Sequence, residues 1–110
     1  MFSQQGPDGY TTPLKGIRMK TLCYGEKTLM TEFRLERGSD LPIHSHPHEQ
    51  TGYLVSGHIV LTLGGEKHDV MPGDSWCIPP EVPHGAKIIV DSVAIEVFSP
   101  VRNDYLPRSS

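Results

Sequence analysis

No stretch of this 110-residue chain approaches the roughly 20 consecutive apolar residues that a membrane-spanning helix needs. The N-terminal residues lack the basic and apolar regions of a secretory signal, so we do not expect one. Cysteine is scarce: Cys23 and Cys77 are too few for a disulfide framework, which favours reduced thiols and a cytoplasmic location. Positive charge is not in excess, because the net charge is -3, and we expect neither nucleic acid nor an anionic membrane as a partner.

Helical periodicity is missing as well, because no segment repeats its apolar residues every three to four positions. The 11 glycines and 10 prolines supply many turns between short alternating segments, which predicts an all-β sandwich or barrel. The length and the 36% hydrophobic content suit one globular domain. We expect residues 1–13 to form a tail or an edge segment and residues 14–110 to form the barrel domain. The predicted strands are 16–24, 28–36, 52–56, 58–63, 66–70, 75–78, 86–90 and 92–98.

The densest chemical feature is a stretch that holds three of the six histidines, His44, His46 and His48. Imidazole is the commonest metal ligand in proteins. Side chains alternate along a strand, so on an extended segment His44 and His46 share one face and could bind a metal from one side. A lone His-x-His pair is weak evidence, and the other ligands have to come from elsewhere in the chain.

Two glycine-framed segments extend this pattern. They follow Gly-x5-His-x-His-x3-[Glu/Gln]-x6-Gly and Gly-x5-Pro-x4-His, and their fixed positions are Gly38, His44, His46, Gln50, Gly57, Gly73, Pro79 and His84. Together they resemble the two motifs of the cupin superfamily, over about residues 28–98. The resemblance implies a single-domain jelly-roll β-barrel that binds one divalent metal in its mouth through His44, His46, Gln50 and His84. The alternative is a cupin that has lost its metal.

One position departs from the cupin pattern, because an acidic ligand is usual where this chain has Gln50. Glu49 lies one residue earlier, and a one-residue shift along a strand turns a side chain to the opposite face, which favours Gln50. A β-bulge would bring Glu49 in instead. Three imidazoles and an amide suit nickel, zinc, iron, manganese or copper comparably. They leave the charge of the ion uncompensated, which strengthens it as a Lewis acid and favours an anionic substrate.

The C-terminal segment, Phe98-Ser99-Pro100-Val101-Arg102-Asn103-Asp104-Tyr105-Leu106, is similar to that of the KdgF-type cupins, which linearise unsaturated uronates released from pectin and alginate. The resemblance implies that Glu96, Phe98 and Arg102 line the pocket beside the metal. The group typically has Asp where this chain has Glu96, and it often has Pro-Pro-Arg-Glu where this chain has Pro-Val-Arg-Asn. The alternative is that Glu96 faces solvent and Arg102 pairs with Asp104 on the surface.

The implied activity is the metal-dependent ring opening of an unsaturated monouronate to a linear keto acid. Glu96 would act as general acid and base, Arg102 would hold the substrate carboxylate, and Phe98 would bound the sugar. A dioxygenase and a non-enzymatic sugar- or acid-binding module are the alternatives. We also expect a homodimer, because the strand 16–24 carries apolar side chains on both faces and would suit an edge covered by a second subunit. We expect His48 to be a solvated loop residue, with a place in the pocket lining as the alternative, and Trp76 to belong to the core.

Overall fold

The computed structural model describes residues 1–107, which form eight antiparallel β-strands and one short 3₁₀ helix, Asn103–Tyr105. The strands are β1 (Thr11–Leu14), β2 (Ile17–Tyr24), β3 (Leu29–Leu35), β4 (Asp40–His44), β5 (Glu49–Leu63), β6 (Glu66–Val70), β7 (Ser75–Ile78) and β8 (His84–Ser99). The all-β prediction is confirmed. No helix in this part of the chain has the length and apolar character needed to cross a membrane.

The core lies between two layers that share the long strands β5 and β8. The C-terminal half of β8 pairs with β3 on one side and with the N-terminal half of β5 on the other, and β7 continues this layer beyond β5. The N-terminal half of β8 pairs with β4 and with the C-terminal half of β5, which β6 extends. Strand β3 shows the expected alternation, since it buries Leu29, Thr31, Phe33 and Leu35.

The prediction of four short strands in place of β5 and β8 is wrong, because each of these strands runs on through its glycine or turn residue. Gly57 has a φ of 98°, and a Cβ there would lie 2.1 Å from Ser92 Oγ. Ser92 in turn accepts a hydrogen bond from the His58 backbone N–H at 3.0 Å and donates to the Val90 carbonyl at 2.7 Å. The register of the two strands shifts between Leu54 and Ile59, and their pairing continues on both sides of this irregular stretch, where they pass from one layer to the other.

The edge predicted for the strand 16–24 is covered within the chain. Strand β1 pairs with β2, with Leu14 opposite Ile17, so β1 and not β2 is the outermost strand on this side. The N-terminal segment thus contains an edge strand from residue 11 onwards. A second subunit is therefore not needed to cover the edge of β2.

Candidate metal centre

Three histidines meet at one end of the barrel. His44 is the last residue of β4, His84 is the first of β8, and the two are paired in register. His46 lies beyond the end of β4, in the segment that leads to β5, so the pair is not on one continuous strand. The rings nevertheless converge, with centroids 4.3 Å apart for His44 and His84 and 4.9 Å apart for His46 and His84. One ring nitrogen from each residue lies within 4.8 Å of the others, which suits a shared metal ion.

The backbone fixes the same tautomer in all three rings. His44 Nδ1 lies 2.8 Å from the Pro42 carbonyl, His46 Nδ1 lies 3.0 Å from that of His48, and His84 Nδ1 lies 2.9 Å from that of Val82. A carbonyl oxygen only accepts hydrogen bonds, so each Nδ1 is the donor, and in a neutral ring this leaves the lone pair on Nε2. Metal-binding histidines are commonly oriented by such contacts at the other ring nitrogen.

His84 gives the clearest test of whether these residues fit a metal. Its Nε2 is buried and has no hydrogen-bond partner among the described residues, which is costly unless another group pairs with the lone pair. Burial lowers the pKa of His84 although its contact with the Val82 carbonyl opposes the shift, and neighbouring His44 lowers it further. Burial thus favours a neutral imidazole, the form that binds a metal, and the donor set fits a transition-metal ion.

Gln50 lies inside the barrel and Glu49 outside. Gln50 is 5% exposed and pairs in register with Phe98 and Ile78, whereas Glu49 is exposed. Gln50 Oε1 is 2.9 Å from His46 Nε2, and since both atoms carry lone pairs, a cation shared between them would relieve their repulsion. The geometry therefore agrees with the choice of Gln50, although its role as a ligand stays a prediction.

Glu96 is buried beside Gln50, so the alternative of a solvent-facing strand residue is wrong. Its Oε1 accepts hydrogen bonds from Gln50 Nε2 and, at 3.2 Å, from the indole Nε1 of Trp76. Burial raises the pKa of Glu96, while these two donors oppose the increase. A buried carboxyl group with a raised pKa in a cavity is a feature that catalytic acids and bases share.

Arg102 lies over two aromatic rings at the same cavity. Its guanidinium carbon is 5.0 Å from the centre of the Phe98 ring and 3.9 Å from that of Tyr105. It also donates to Asp104 from Nε at 3.2 Å and from Nη2 at 2.7 Å, as the alternative interpretation expected. Burial alone would raise the pKa of Asp104, but the hydrogen bonds and charge of Arg102 lower it. The pairing does not place Arg102 on an open surface, because its side chain is only 15% exposed and lines the cavity.

The cavity thus brings together His44, Gln50, His84, Glu96, Phe98 and Arg102, with His46 adjoining through its contacts with Gln50 and His84. Sequence reasoning missed two members. Trp76 lines the cavity as well as packing against the core. A tryptophan that is expected in the core needs a partner for its indole N–H, and this requirement could have indicated a polar neighbour in the cavity. Tyr105 belongs to the 3₁₀ helix, and its ring packs edge-on against that of Phe98, with the ring centroids 5.3 Å apart. No strand pattern predicts a residue in this position.

His48 is only half-buried but is not a freely solvated loop residue. Its ring lies 5.7 Å from that of His46, and its Nδ1 is buried without a hydrogen-bond partner in the described part of the chain. Its backbone carbonyl is the acceptor that orients His46. Burial and the charge of Arg102 lower the pKa of His48. It therefore supports the site from outside the cluster of ring nitrogens.

Comparison with known proteins agrees with this architecture. The sequence profile of the cupin domain matches residues 31–99, and the chain belongs to the cupin family. It is similar to the solved structure of KdgF from Halomonas sp., with a TM-score of 0.86 and 33% identity over 90% of this chain and 92% of that one. An RmlC-like cupin from Shewanella frigidimarina has the same fold, with a TM-score of 0.85, 24% identity and coverage of 96% and 100%.

A curated relative adds a named role. The pectin degradation protein KdgF of Dickeya dadantii is 29% identical over 93 residues, which are 83% of this chain and 84% of that protein. The predicted resemblance to KdgF-type cupins is therefore confirmed over most of the chain.

Proposed function

We propose that this cupin opens the ring of a small unsaturated uronate in a metal-dependent reaction and yields a linear keto acid. The observation that carries the proposal is the meeting of Glu96, Phe98 and Arg102 with the histidine cluster in one cavity, in a chain similar to KdgF proteins over most of its length. His44, His46, His84 and Gln50 would hold one divalent transition metal. The bound ion would supply Lewis-acid stabilisation of negative charge on substrate oxygens.

In this proposal Arg102 holds the substrate carboxylate. Asp104 occupies its Nε and one Nη2 hydrogen, and within residues 1–107 the Nη1 side of the guanidinium has no hydrogen-bond partner, so a second carboxylate could bind there. The rings of Phe98 and Tyr105 contact the guanidinium and would give the sugar an apolar wall. A planar, pre-oriented donor of this kind selects anionic sugars over neutral ones.

In this proposal Glu96 moves the proton. Ring opening takes a proton from the anomeric hydroxyl, breaks the bond between the anomeric carbon and the ring oxygen, and adds a proton to the carbon of the former double bond. The reaction is an isomerisation, so one carboxyl group that accepts the first proton and returns it to carbon balances it. Burial raises the pKa of Glu96, and this direction favours a carboxyl group that keeps the accepted proton until it passes to carbon.

The direct test is incubation of metal-loaded protein with unsaturated galacturonate and mannuronate. Loss of the absorbance of the conjugated double bond, without oxygen consumption and with one metal per chain by elemental analysis, supports the proposal. Oxygen consumption that depends on iron or copper would instead identify a dioxygenase. Thermal stabilisation by a uronate without product would identify a binding module.

The expected homodimer and cytoplasmic location stay predictions. A homodimer would bury exposed apolar residues on the outer faces of β3 and β5, among them Met30, Tyr53 and Val55. A mass of one chain in sedimentation equilibrium would show that the prediction of a homodimer is wrong.

A further inference from the structure

The contact between Trp76 and Glu96 spans a whole strand. Trp76 is on β7 and Glu96 is on β8, and β5 runs between them. Gly52 on β5 is the register partner of both residues. Side chains two strands apart are normally separated by the side chain of the middle strand, because neighbouring strands are about 4.8 Å apart. Here the indole passes over the middle position and its Nε1 donates to Glu96 Oε1 at 3.2 Å.

The absence of a side chain at Gly52 makes this contact possible. A Cβ at position 52 would lie 2.1 Å from Cε2 of Trp76 and 2.3 Å from its Nε1, distances that no real contact reaches. The φ of Gly52 is not in the left-handed region, so the backbone itself does not call for glycine. Space for the indole is therefore the physical reason for a glycine in the middle of a long strand, where glycine is otherwise unfavourable.

The indole constrains a carboxyl group that would otherwise have rotamer freedom. The side chain of Glu96 has several rotatable bonds, so its carboxyl group needs contacts to stay in one place. Gln50 Nε2 donates to the same Oε1 that Trp76 holds, and this turns Gln50 Oε1 towards His46 Nε2. Thr31 fixes the strand at this point, because its Oγ1 donates to the Glu96 carbonyl at 2.9 Å. The chain of contacts therefore runs from Trp76 through Glu96 and Gln50 to the histidine cluster.

We propose that Trp76 is a positioning residue that fixes the carboxyl group of Glu96 in the cavity. The space for its indole exists because Gly52 has no side chain. The catalytic consequence of this role rests on the proposed uronate reaction, whereas the contact itself can be measured in the metal-free protein. Trp76 does not need to touch the substrate in this role. It acts through Glu96, so its loss affects turnover more than substrate binding.

The spectroscopic test uses the fact that Trp76 is the only tryptophan in the chain. Indole emission responds to hydrogen bonding and polarity at the ring, so the emission of the metal-free protein reports this site alone. We expect Gly52→Ala and Glu96→Ala each to shift the emission maximum. Gly25→Ala is the matched control, because a Cβ at Gly25 meets nothing within 4 Å, and it should leave the emission unchanged. Unchanged emission in both site variants, with a native circular dichroism spectrum, would overturn the proposal.

The kinetic test separates positioning from a structural role. Trp76→Phe keeps an aromatic ring and removes only the N–H donor and part of the ring area. We expect kcat to fall about 10- to 100-fold, the range in which a small misplacement of a reacting group acts, with KM changed less than about twofold. Wild-type kcat in a folded Trp76→Phe protein would refute the positioning role. If the wild-type protein turns over neither uronate, the proposed function fails, and the emission of the Gly52→Ala and Glu96→Ala variants alone decides whether Trp76 holds Glu96.

Discussion

Replacing Glu96 by Gln tests the proposed proton transfer with little change of shape. Glutamine has the length of glutamate and keeps an oxygen where Trp76 and Gln50 donate. The variant cannot accept and return a proton, and general acid–base catalysis by one side chain typically contributes about 10²–10⁴-fold to the rate. At about 1.36 kcal/mol for each tenfold change, this corresponds to an increase of about 2.7–5.4 kcal/mol in the activation barrier.

The stability of Glu96→Gln should change much less than its rate. Two hydrogen bonds to a carboxylate, each worth about 1.5–3 kcal/mol, become bonds to a neutral amide worth about 0.5–1.5 kcal/mol. This loss is offset because a neutral amide avoids the free-energy cost of burying a charged carboxylate, the same burial that raises the pKa of Glu96. We therefore expect Tm to move by about 5 °C or less.

The assay follows the double-bond absorbance of an unsaturated uronate and measures the metal content and Tm of the same preparation. Glu49→Gln is the matched control, because it makes the same chemical change at the neighbouring exposed position and should keep normal turnover. A Glu96→Gln protein that retains one metal per chain and turns over within about twofold of the wild-type rate would exclude Glu96 from the proton transfer. Slow turnover in Glu49→Gln instead would show that the acidic group was assigned to the wrong residue.

Three further changes have distinct readouts. His84→Ala removes the buried ring nitrogen that has no partner, so the metal content should fall well below one per chain by elemental analysis, and a full complement of metal would disprove its role as a ligand. Arg102→Lys loses the fork and the stacking over Phe98, so KM for the uronate should rise about tenfold or more with kcat less affected; an unchanged KM would mean that another group binds the carboxylate. Gly57→Ala puts a Cβ 2.1 Å from Ser92 Oγ at a φ of 98°, and its free energy of unfolding in urea should drop by about 1–3 kcal/mol, while Gly6→Ala, which meets nothing within 4 Å, should not change it.

Much of the fold could be predicted because local alternation reflects burial directly. Strands β6 and β7 have the predicted bounds, β2 begins one residue later than predicted, and β3 is one residue shorter at each end. The continuous strands β5 and β8 could not be predicted, since Gly57 and Asp91 are locally turn signals. Ser92 and Gly57 come together only after the strands pair, and their close contact lets the pairing of β5 and β8 continue past both turn signals.

The candidate site shows the same division. The resemblance to the two cupin motifs selected His44, His46 and His84. The rule of alternation selected Gln50 over Glu49, because it follows from the geometry of a strand. The alternation of Glu96 and Phe98 was likewise readable, and both are buried. The sequence could not decide whether Glu96 faces solvent or the cavity. Alternation shows which residues share a strand face, but which face is buried depends on where the second layer packs.

The amino-acid sequence by itself determined which residues could bind a metal and which strand faces could be buried, since both depend on neighbours a few positions away. Only the tertiary structure decided how these residues act together. The backbone carbonyls that orient the three imidazoles, the placing of Arg102 over Phe98 and Tyr105, and the reach of Trp76 across Gly52 to Glu96 depend on strand pairing and on loop conformation. The physical reason is that a hydrogen bond across strands requires a register, and the register is set by the packing of the whole barrel.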